Sequence, residues 1–127
     1  MAKLVRTPAD GGRILLADDE EMVRKAIRLV LSFDGYQVVE AADGEEAVQK
    51  YLEASPPFDL LLIDLDMPRL NGAEALARIR SHHPHAKAIL LSGGIQISGL
   101  ADTLFLQKPF ENQHLIGLVR ESLGNDQ

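Results

Sequence analysis

Short apolar runs alternate along the chain with longer segments in which apolar residues recur every three or four positions. The runs lie at 14–17, 36–39, 60–63, 88–91 and 104–106. They hold three or four successive residues, mostly Leu, Ile and Val, which is typical of strands covered on both faces of a parallel sheet. The pattern therefore predicts an α/β fold built from stacked β-α units.

Helix-period segments fill most of the intervals between these strands. We predict helices over 20–32, from Asp43 to the Pro56-Pro57 pair, over 72–81 and over 111–123. Asp43 is a typical N-cap, because its carboxylate can accept a hydrogen bond from a free amide of the first turn. Gly35 can end the first helix, since glycine adopts the left-handed conformation without steric cost.

One interval departs from the alternation. The residues from 93 to 103 include three glycines and several β-branched side chains, which are poor helix formers. We predict a loop or at most a single turn there. The expected fold is thus a doubly wound, five-stranded parallel sheet in which the helix between the fourth and fifth strands is shortened or missing.

The organisation of the chain follows from its length and its termini. A chain of 127 residues suits one compact domain. The first residues are turn-rich and aperiodic, so we expect a lead-in or linker over 1–12, one domain over 13–123 and a tail over 124–127.

Composition excludes several classes of function. Thirteen Lys and Arg against nineteen Asp and Glu give a formal charge of −6, which argues against direct electrostatic binding of nucleic acid. The absence of cysteine excludes disulfides and thiolate zinc sites. No apolar run is long enough to span a bilayer, and no signal peptide is evident. We therefore expect a soluble cytoplasmic protein without membrane insertion.

Polar residues follow four of the five predicted strands. Asp18 and Asp19 follow the first strand, Asp64 the third and Ser92 the fourth, and Lys108 comes shortly after the fifth. Ligands of open parallel sheets bind outside the carboxyl ends of the strands, where the strand order reverses. If the strand order is 2-1-3-4-5, that point lies between the first and third strands, and the three aspartates are expected to meet there.

This grouping favours phosphoryl chemistry. Three neighbouring carboxylates repel one another unless a cation or protons intervene, and oxygen donors without His or Cys favour Mg²⁺. A lysine and a serine hydroxyl supply the counter-charge and the donor that a bound phosphoryl group needs. We interpret Asp64 as a nucleophile that becomes phosphorylated. The end of the second strand, 40–42, is expected to contribute nothing to this site. Taken singly, each of the aspartates, the serine and the lysine would also fit a turn or a helix cap.

Four motifs carry a resemblance to a known family. They are 14–20 (ILLADDE), 59–68 (DLLLIDLDMP) followed by Asn71-Gly72, 89–93 (ILLSG), and Lys108-Pro109-Phe110. From Arg13 to Leu123 the chain resembles the receiver domains of two-component response regulators, including chemotaxis regulators and the receivers of hybrid sensor histidine kinases. The resemblance implies a flavodoxin-like receiver fold.

The resemblance also implies a role for each residue of the crevice. Asp64 would accept a phosphoryl group from the phosphohistidine of a histidine kinase, and Asp19 and Asp64 would bind Mg²⁺ directly. Asp18 would bind the ion through water, and Asp66 through its backbone carbonyl. Lys108 would pair with the phosphoryl oxygens, and its bond to the following proline would be cis. Such a domain signals and is not an enzyme that acts on a separate substrate.

Switching in this family couples the hydroxyl of Ser92 to the aromatic ring of Phe105, and the altered surface changes its preference for a downstream protein. Only 16 positions separate Ser92 from Lys108, which is roughly one and a half helical turns fewer than the family norm. This departure argues against the usual dimer, so we expect a monomer or a weak dimer. Gly93 and Gly94 leave little cover for the phosphoryl group, so we expect phospho-Asp64 to turn over quickly.

Three alternatives compete with this interpretation. Asp64-Leu65-Asp66 after an apolar strand also resembles the haloacid-dehalogenase phosphatases, but their remaining metal-binding acids come after the lysine and here the acid pair comes first. His82, His83 and His85 suggest a zinc site, yet no further ligand is apparent. A structural scaffold that has lost phosphorylation is disfavoured by the intact set of acids, serine and lysine.

Overall fold

The computed structural model describes residues 11–94 and 102–124. These residues form nine elements. The strands are β1 (Arg13–Ala17), β2 (Gln37–Ala41), β3 (Leu60–Asp64), β4 (Ala88–Ser92) and β5 (Thr103–Gln107), and the helices are α1 (Glu21–Phe33), α2 (Gly44–Glu53), α3 (Gly72–Arg80) and α4 (Asn112–Ser122).

All five strands form one parallel sheet in the order β2-β1-β3-β4-β5. The predicted α/β architecture and strand order are therefore confirmed. Every residue of β3 and β4 is buried, as expected for central strands that carry helices on both faces. In the register of β1 and β3, Ala17 lies opposite Ile63, so Asp64 comes one position later, close to the point where β1 ends.

The core lies in two layers, one on each face of the sheet. Successive residues of a strand point to opposite faces, so Leu15 and Leu61 belong to one layer and Leu16 and Leu62 to the other. The first layer is completed by side chains of α2 and α3, and the second by side chains of α1 and α4. Among the described residues, the buried charged side chains are those of Asp18 and Asp64, at the ends of β1 and β3.

Local sequence signals set the ends of the helices. The Asp43 carboxylate accepts a hydrogen bond from the Glu46 amide at 2.8 Å, which confirms the predicted N-cap of α2. Gly35 follows α1 with a φ of 99°, as the predicted glycine exit requires. At the start of α3, Asn71 and Glu74 form a capping box, a signal that the hydrophobic pattern alone does not reveal.

Some predictions concern residues outside the described part of the chain. The shortened helix between β4 and β5 falls mainly on 95–101, and most of the lead-in over 1–12 and of the tail over 124–127 is likewise not described. Between Asp102 and Gly124, the described residues form β5 and α4. No helix in the described residues is long and apolar enough to cross a membrane.

Candidate functional site

The acid group consists of Asp18, Asp19 and Asp64, at the carboxyl ends of the neighbouring strands β1 and β3. Each residue offers a carboxylate oxygen that lies within 4.8 Å of those offered by the other two. Asp18 and Asp64 are buried, with 0% and 3% of their surface exposed, whereas Asp19 is exposed. The sheet thus brings together the three acids that the sequence placed at this crevice.

Asp18 is held on several sides. Its amide donates to the Ala41 carbonyl at 3.2 Å, which continues the pairing of β1 with β2 beyond the last strand residue. Its Oδ1 accepts a hydrogen bond from the Glu20 amide at 2.9 Å, and its Oδ2 accepts one from Lys108 Nζ at 3.1 Å. These three hydrogen bonds fix the position of Asp18 in the site.

Asp64 carries a charge that its surroundings disfavour. Burial raises the pKa of this carboxyl, and the negative charge of Asp18 raises it further. A hydrogen bond from the Asp66 amide to Oδ1 at 3.0 Å and the nearby Lys108 lower the pKa but do not cancel the rise. A second cation beside Asp64 would favour its ionised form.

Lys108 is the cation in contact with the buried acids. Its amide donates to the Ser92 carbonyl at 2.8 Å, so the backbone after β5 stays paired with the end of β4. Its Nζ lies 3.4 Å from Asp64 Oδ2 as well as 3.1 Å from Asp18. Burial alone would lower the pKa of Lys108, but the hydrogen bonds and charges of the two aspartates outweigh it and raise the pKa. The ammonium stays protonated at neutral pH.

The peptide bond between Lys108 and Pro109 is cis, as the resemblance implied.

Ser92 and the two glycines after it form the side of the site next to β4. Ser92 is buried, and its Oγ accepts a hydrogen bond from the Gly94 amide at 3.1 Å. The Gly93 amide donates to Asp66 Oδ2 at 3.3 Å. A Cβ atom at Gly93 or Gly94 would meet no described atom within 4 Å beyond the adjacent residues. The part of the chain that the structure describes leaves this side of the site open.

Gly72, the first residue of α3, fits closely against the end of β3. A Cβ atom there would lie 2.5 Å from the Asp64 carbonyl oxygen, which is shorter than any tolerable contact. Its amide donates to the Leu65 carbonyl at 3.1 Å. The absence of a side chain therefore lets α3 begin beside Asp64. The Asn71-Gly72 pair marked a helix start in the sequence but did not reveal this contact.

Asp66 and Phe105 are described without a test of their predicted roles. The Asp66 carboxylate accepts the hydrogen bond from Gly93, and a metal-binding role for its backbone carbonyl is still a prediction. Phe105 is half-buried on β5, lies opposite Leu90 in the register and packs against the core layer that includes α2 and α3. The switch role of Phe105 is still a prediction.

The end of β2, expected to contribute nothing, supplies no carboxylate to the acid group but supports Asp18 through the Ala41 carbonyl and through Glu40. Glu40 gives the pocket no ligand, but it binds Arg24 of α1 at 2.7 Å, and Arg24 donates to the Asp18 carbonyl at 2.7 Å. We call Glu40 with Arg24, Lys25 and Arg28 the Glu40 cluster. The hydrogen bond from Arg24, followed by the charges of all three cations, holds the pKa of Glu40 below its usual value despite partial burial. Sequence reasoning missed this support because Glu40 and Arg24 are 16 positions apart.

The donor set suits a hard divalent cation. Three carboxylates converge where a single lysine provides the close counter-charge, and oxygen ligands of this kind favour Mg²⁺. Within 11–94 and 102–124, the acid group is the only set of three or more His, Cys, Asp or Glu side chains whose ligand atoms converge. His82, His83 and His85 do not form such a set, so the zinc alternative gains no support.

Comparisons with known proteins give a consistent result. The model of the response regulator receiver domain family matches residues 14–120. The chemotaxis protein CheY of Bacillus subtilis is 35% identical over 118 residues, which cover 87% of this chain and 97% of that protein. CheY of Thermotoga maritima is 33% identical and is covered to 92% of its length.

Solved structures agree with the sequence comparisons. The receiver domain of the hybrid histidine kinase CckA has a TM-score of 0.76 and 35% identity, over 88% of this chain and 99% of that one. The response regulator TrrA of Thermotoga maritima, solved with Mg²⁺ and BeF, has a TM-score of 0.80 and 33% identity over the same shares. A CheX-CheY-BeF₃-Mg complex from Borrelia burgdorferi has a TM-score of 0.79 and 26% identity, over 87% of each chain.

The family model spans most of the chain, and relatives above 30% identity are covered almost completely. Membership of this family also replaces the haloacid-dehalogenase interpretation, whose order of acids the sequence already contradicted. The chain belongs to the response regulator receiver domain family.

Proposed function

We propose that the chain accepts a phosphoryl group on Asp64 from the phosphohistidine of a histidine kinase or of its phosphotransfer domain. The observation that carries this proposal is the convergence of Asp18, Asp19 and Asp64 around one lysine at the carboxyl ends of β1 and β3. Burial and the charge of Asp18 raise the pKa of Asp64, and such a disfavoured carboxylate is more typical of a functional site than of a purely structural one.

In the transfer step, a carboxylate oxygen of Asp64 attacks the phosphorus of the donor. The new P–O bond forms as the P–N bond to the donor imidazole breaks, and the imidazole keeps the electron pair and takes up a proton. Lys108, held protonated by the two buried aspartates, stabilises the added negative charge. The Ser92 hydroxyl lies at the end of the next strand and can donate a hydrogen bond to a phosphoryl oxygen.

The metal ligands would be Asp19 and Asp64 directly, the Asp66 backbone carbonyl, and Asp18 through water. When bound, Mg²⁺ would neutralise repelling carboxylates and share charge with the phosphoryl oxygens. TrrA and the Borrelia CheY were both solved with this ion and a beryllium fluoride, which supports the choice of metal.

A groove beside Lys108 supports approach of a protein donor. It has a volume of about 500 Å³ and is lined mainly by apolar side chains of α1 and of the segment before α4, including Val23, Ile27, Pro109 and Phe110. Met22, one turn before Ala26 on α1, is 86% exposed. An apolar helix face of the donor could pack there and bring its phosphohistidine to Asp64.

Output would depend on Ser92 and Phe105. Movement of the serine hydroxyl towards a phosphoryl group would break its hydrogen bond with the Gly94 amide. The family resemblance implies that this movement lets the Phe105 ring turn inward. The changed surface would then favour a downstream protein. The Borrelia CheY was solved in complex with another protein, CheX, which supports a protein-binding surface on this fold. Cytoplasmic location and a monomer or weak dimer are still predictions from the sequence.

The proposal is tested by incubating the protein with a small-molecule phosphodonor and Mg²⁺ and measuring its intact mass. We expect one phosphoryl adduct on the wild type, none on Asp64→Asn, and suppression by a chelator. Asp59→Asn is the matched control, because Asp59 comes just before the opposite end of β3 and accepts a hydrogen bond from the Arg13 amide. An adduct that persists in Asp64→Asn would defeat the proposal.

A further inference from the structure

Arg24 reaches the acid group from α1 and connects it to β2. Its Nη1 donates to the Asp18 carbonyl oxygen at 2.7 Å, and its Nε donates to Glu40 Oε1 at 2.7 Å. The side chains of Arg24 and Glu40 are only 11% and 15% exposed. Both hydrogen bonds are therefore short and sheltered from water, and one guanidinium joins the ends of two strands.

The carbonyl that Arg24 binds belongs to the peptide bond between Asp18 and Asp19. Because that unit is planar, fixing its oxygen restricts ψ of Asp18 and φ of Asp19 together. These two angles set the direction in which the Asp19 side chain leaves the backbone. The Asp19 carboxylate is itself exposed, so packing contributes little to its position.

The remaining polar groups of Asp18 are already in use. Its amide donates to Ala41, and its carboxylate accepts from Glu20 and Lys108. Glu40 is also anchored independently, since Arg28 Nη1 donates to its Oε2 at 3.0 Å and Lys50 Nζ donates to its backbone oxygen at 2.6 Å. Arg24 thus connects the anchored Glu40 to the carbonyl group of Asp18, and the orientation of that carbonyl sets the direction of the Asp19 side chain.

We propose that Arg24, held by Glu40, is a positioning residue that presents Asp19 to the divalent cation and thereby sets the affinity of the site for Mg²⁺. The identity of the ion rests on the proposed function. Arg24 acts through the backbone and has no contact with the phosphoryl group in this account. Residues that orient metal ligands from outside typically affect metal affinity by about 10- to 100-fold.

The sign of the effect separates positioning from simple electrostatics. Removal of a positive charge near three carboxylates would strengthen cation binding if Arg24 acted through its charge alone. If it acts by holding the peptide bond, its removal weakens binding, because the acids are free to turn apart under their mutual repulsion. The two explanations therefore predict opposite changes in the dissociation constant of Mg²⁺.

The test compares Arg24→Gln with Arg28→Gln by calorimetric titration with Mg²⁺. Both variants lose one positive charge that pairs with Glu40, but Arg28 bonds Glu40 rather than the Asp18 carbonyl. We expect about tenfold weaker Mg²⁺ binding in Arg24→Gln and a change within about twofold in Arg28→Gln. Arg24→Lys should fall between wild type and Arg24→Gln, because one ammonium cannot reproduce both directed hydrogen bonds of the guanidinium.

A second measurement uses metal-free protein. Hydrogen exchange at the Asp18 and Glu20 amides reports directly on the turn that Arg24 holds. Exchange should accelerate in Arg24→Gln and stay at the wild-type rate in Arg28→Gln. If Arg24→Gln does not fold, Arg24→Lys is compared with Arg28→Lys in the same two measurements.

The two readouts also distinguish failure of this inference from failure of the proposed function. A wild-type chain that binds no Mg²⁺ and takes up no phosphoryl group would defeat the proposed function, and amide exchange would still decide whether Arg24 orders the turn. Equal Mg²⁺ affinity and equal exchange in Arg24→Gln and Arg28→Gln would overturn the positioning role. Tighter Mg²⁺ binding in Arg24→Gln would overturn it as well.

Discussion

The acid group and the Glu40 cluster are adjacent at the carboxyl end of the sheet and have opposite imbalances of charge. In the acid group, three carboxylates converge near Lys108, and the pKa of Asp64 is raised. In the Glu40 cluster, one carboxylate faces three cations at 2.7 to 3.7 Å, and the pKa of Glu40 is lowered. Arg24 contacts both regions.

The two regions differ in whether their charges are balanced by groups of the chain itself. Glu40 is stabilised as an anion by its own neighbours, so that cluster needs nothing further. In the acid group, three carboxylates face one lysine at close range, and the cation of the proposed function would offset part of the energetic cost of assembling them. Buried charge without sufficient partners is typical of functional sites.

Loss of Lys108 should have the largest effect, because it removes the cation in contact with the buried acids. In Lys108→Met we expect the rate of phosphorylation by a small-molecule donor to fall by about 100-fold, as when a single stabilising donor is removed from a transition state. The intact-mass time course measures this. Lys87→Met, an exposed lysine just before β4, should retain the wild-type rate. Equal rates in the two variants would remove Lys108 from the mechanism.

Loss of the Glu40 carboxylate should destabilise the fold. Glu40→Gln leaves Arg24 without its anionic partner, and we expect a free energy of unfolding lower by about 1–3 kcal/mol at neutral pH. Because the folded-state pKa of Glu40 is lowered, its contribution is complete above the ordinary pKa and is lost as pH falls through the folded-state pKa. Urea unfolding at several pH values should show that the difference in free energy of unfolding between the wild type and Glu40→Gln becomes smaller in acid.

Neutralisation of Asp64 should change the free energy of unfolding in the opposite direction and by a smaller amount. Asp64→Asn removes a carboxylate whose pKa is raised, so we expect a free energy of unfolding higher by about 1 kcal/mol at neutral pH. The gain should decline as pH falls from the folded-state pKa of Asp64 to its ordinary value, where the wild-type carboxyl is protonated in both states. Mg²⁺ should raise the urea midpoint of the wild type only. A destabilised Asp64→Asn would contradict this view of the acid group.

The open side of the site should affect the lifetime of the phosphorylated state by a smaller factor. A Cβ at Gly94 meets no described atom, so a leucine there can be accommodated and can shield a phosphoryl group from water. We expect Gly94→Leu to lengthen the half-life of phospho-Asp64 by about three- to tenfold, about 1 kcal/mol in the barrier. Gly117→Leu on α4 has equal room and should leave the half-life unchanged. Equal half-lives in both variants would show that the glycines do not control access of water.

Much of the fold could be predicted from the sequence because apolar periodicity is a local property. The buried runs identified all five strands, and the caps at Asp43 and Gly35 limited two helices. With the strand order that the family resemblance implies, Asp18, Asp19 and Asp64 meet at one crevice. Those acids could be recognised because they stand at the ends of apolar runs.

The support of the site could not be predicted, because it depends on contacts between residues distant in the sequence. Arg24 and Glu40 read as ordinary exposed charges of a helix and an edge strand, and only the packing of α1 beside β2 joins them at 2.7 Å. Gly72 read as a helix start, although its close contact with the Asp64 carbonyl is what requires glycine. Neither contact leaves a periodic signal in the chain.

The central claim is that Asp64 is the residue of the acid group that accepts a phosphoryl group. It is tested most directly by mapping the modified residue. Protein treated with a small-molecule phosphodonor and Mg²⁺ is reduced with borohydride, which converts an aspartyl phosphate to homoserine, and is then sequenced by tandem mass spectrometry. We expect homoserine at position 64 alone, dependent on Mg²⁺. Homoserine at position 18 or 19 with position 64 unchanged would contradict the claim.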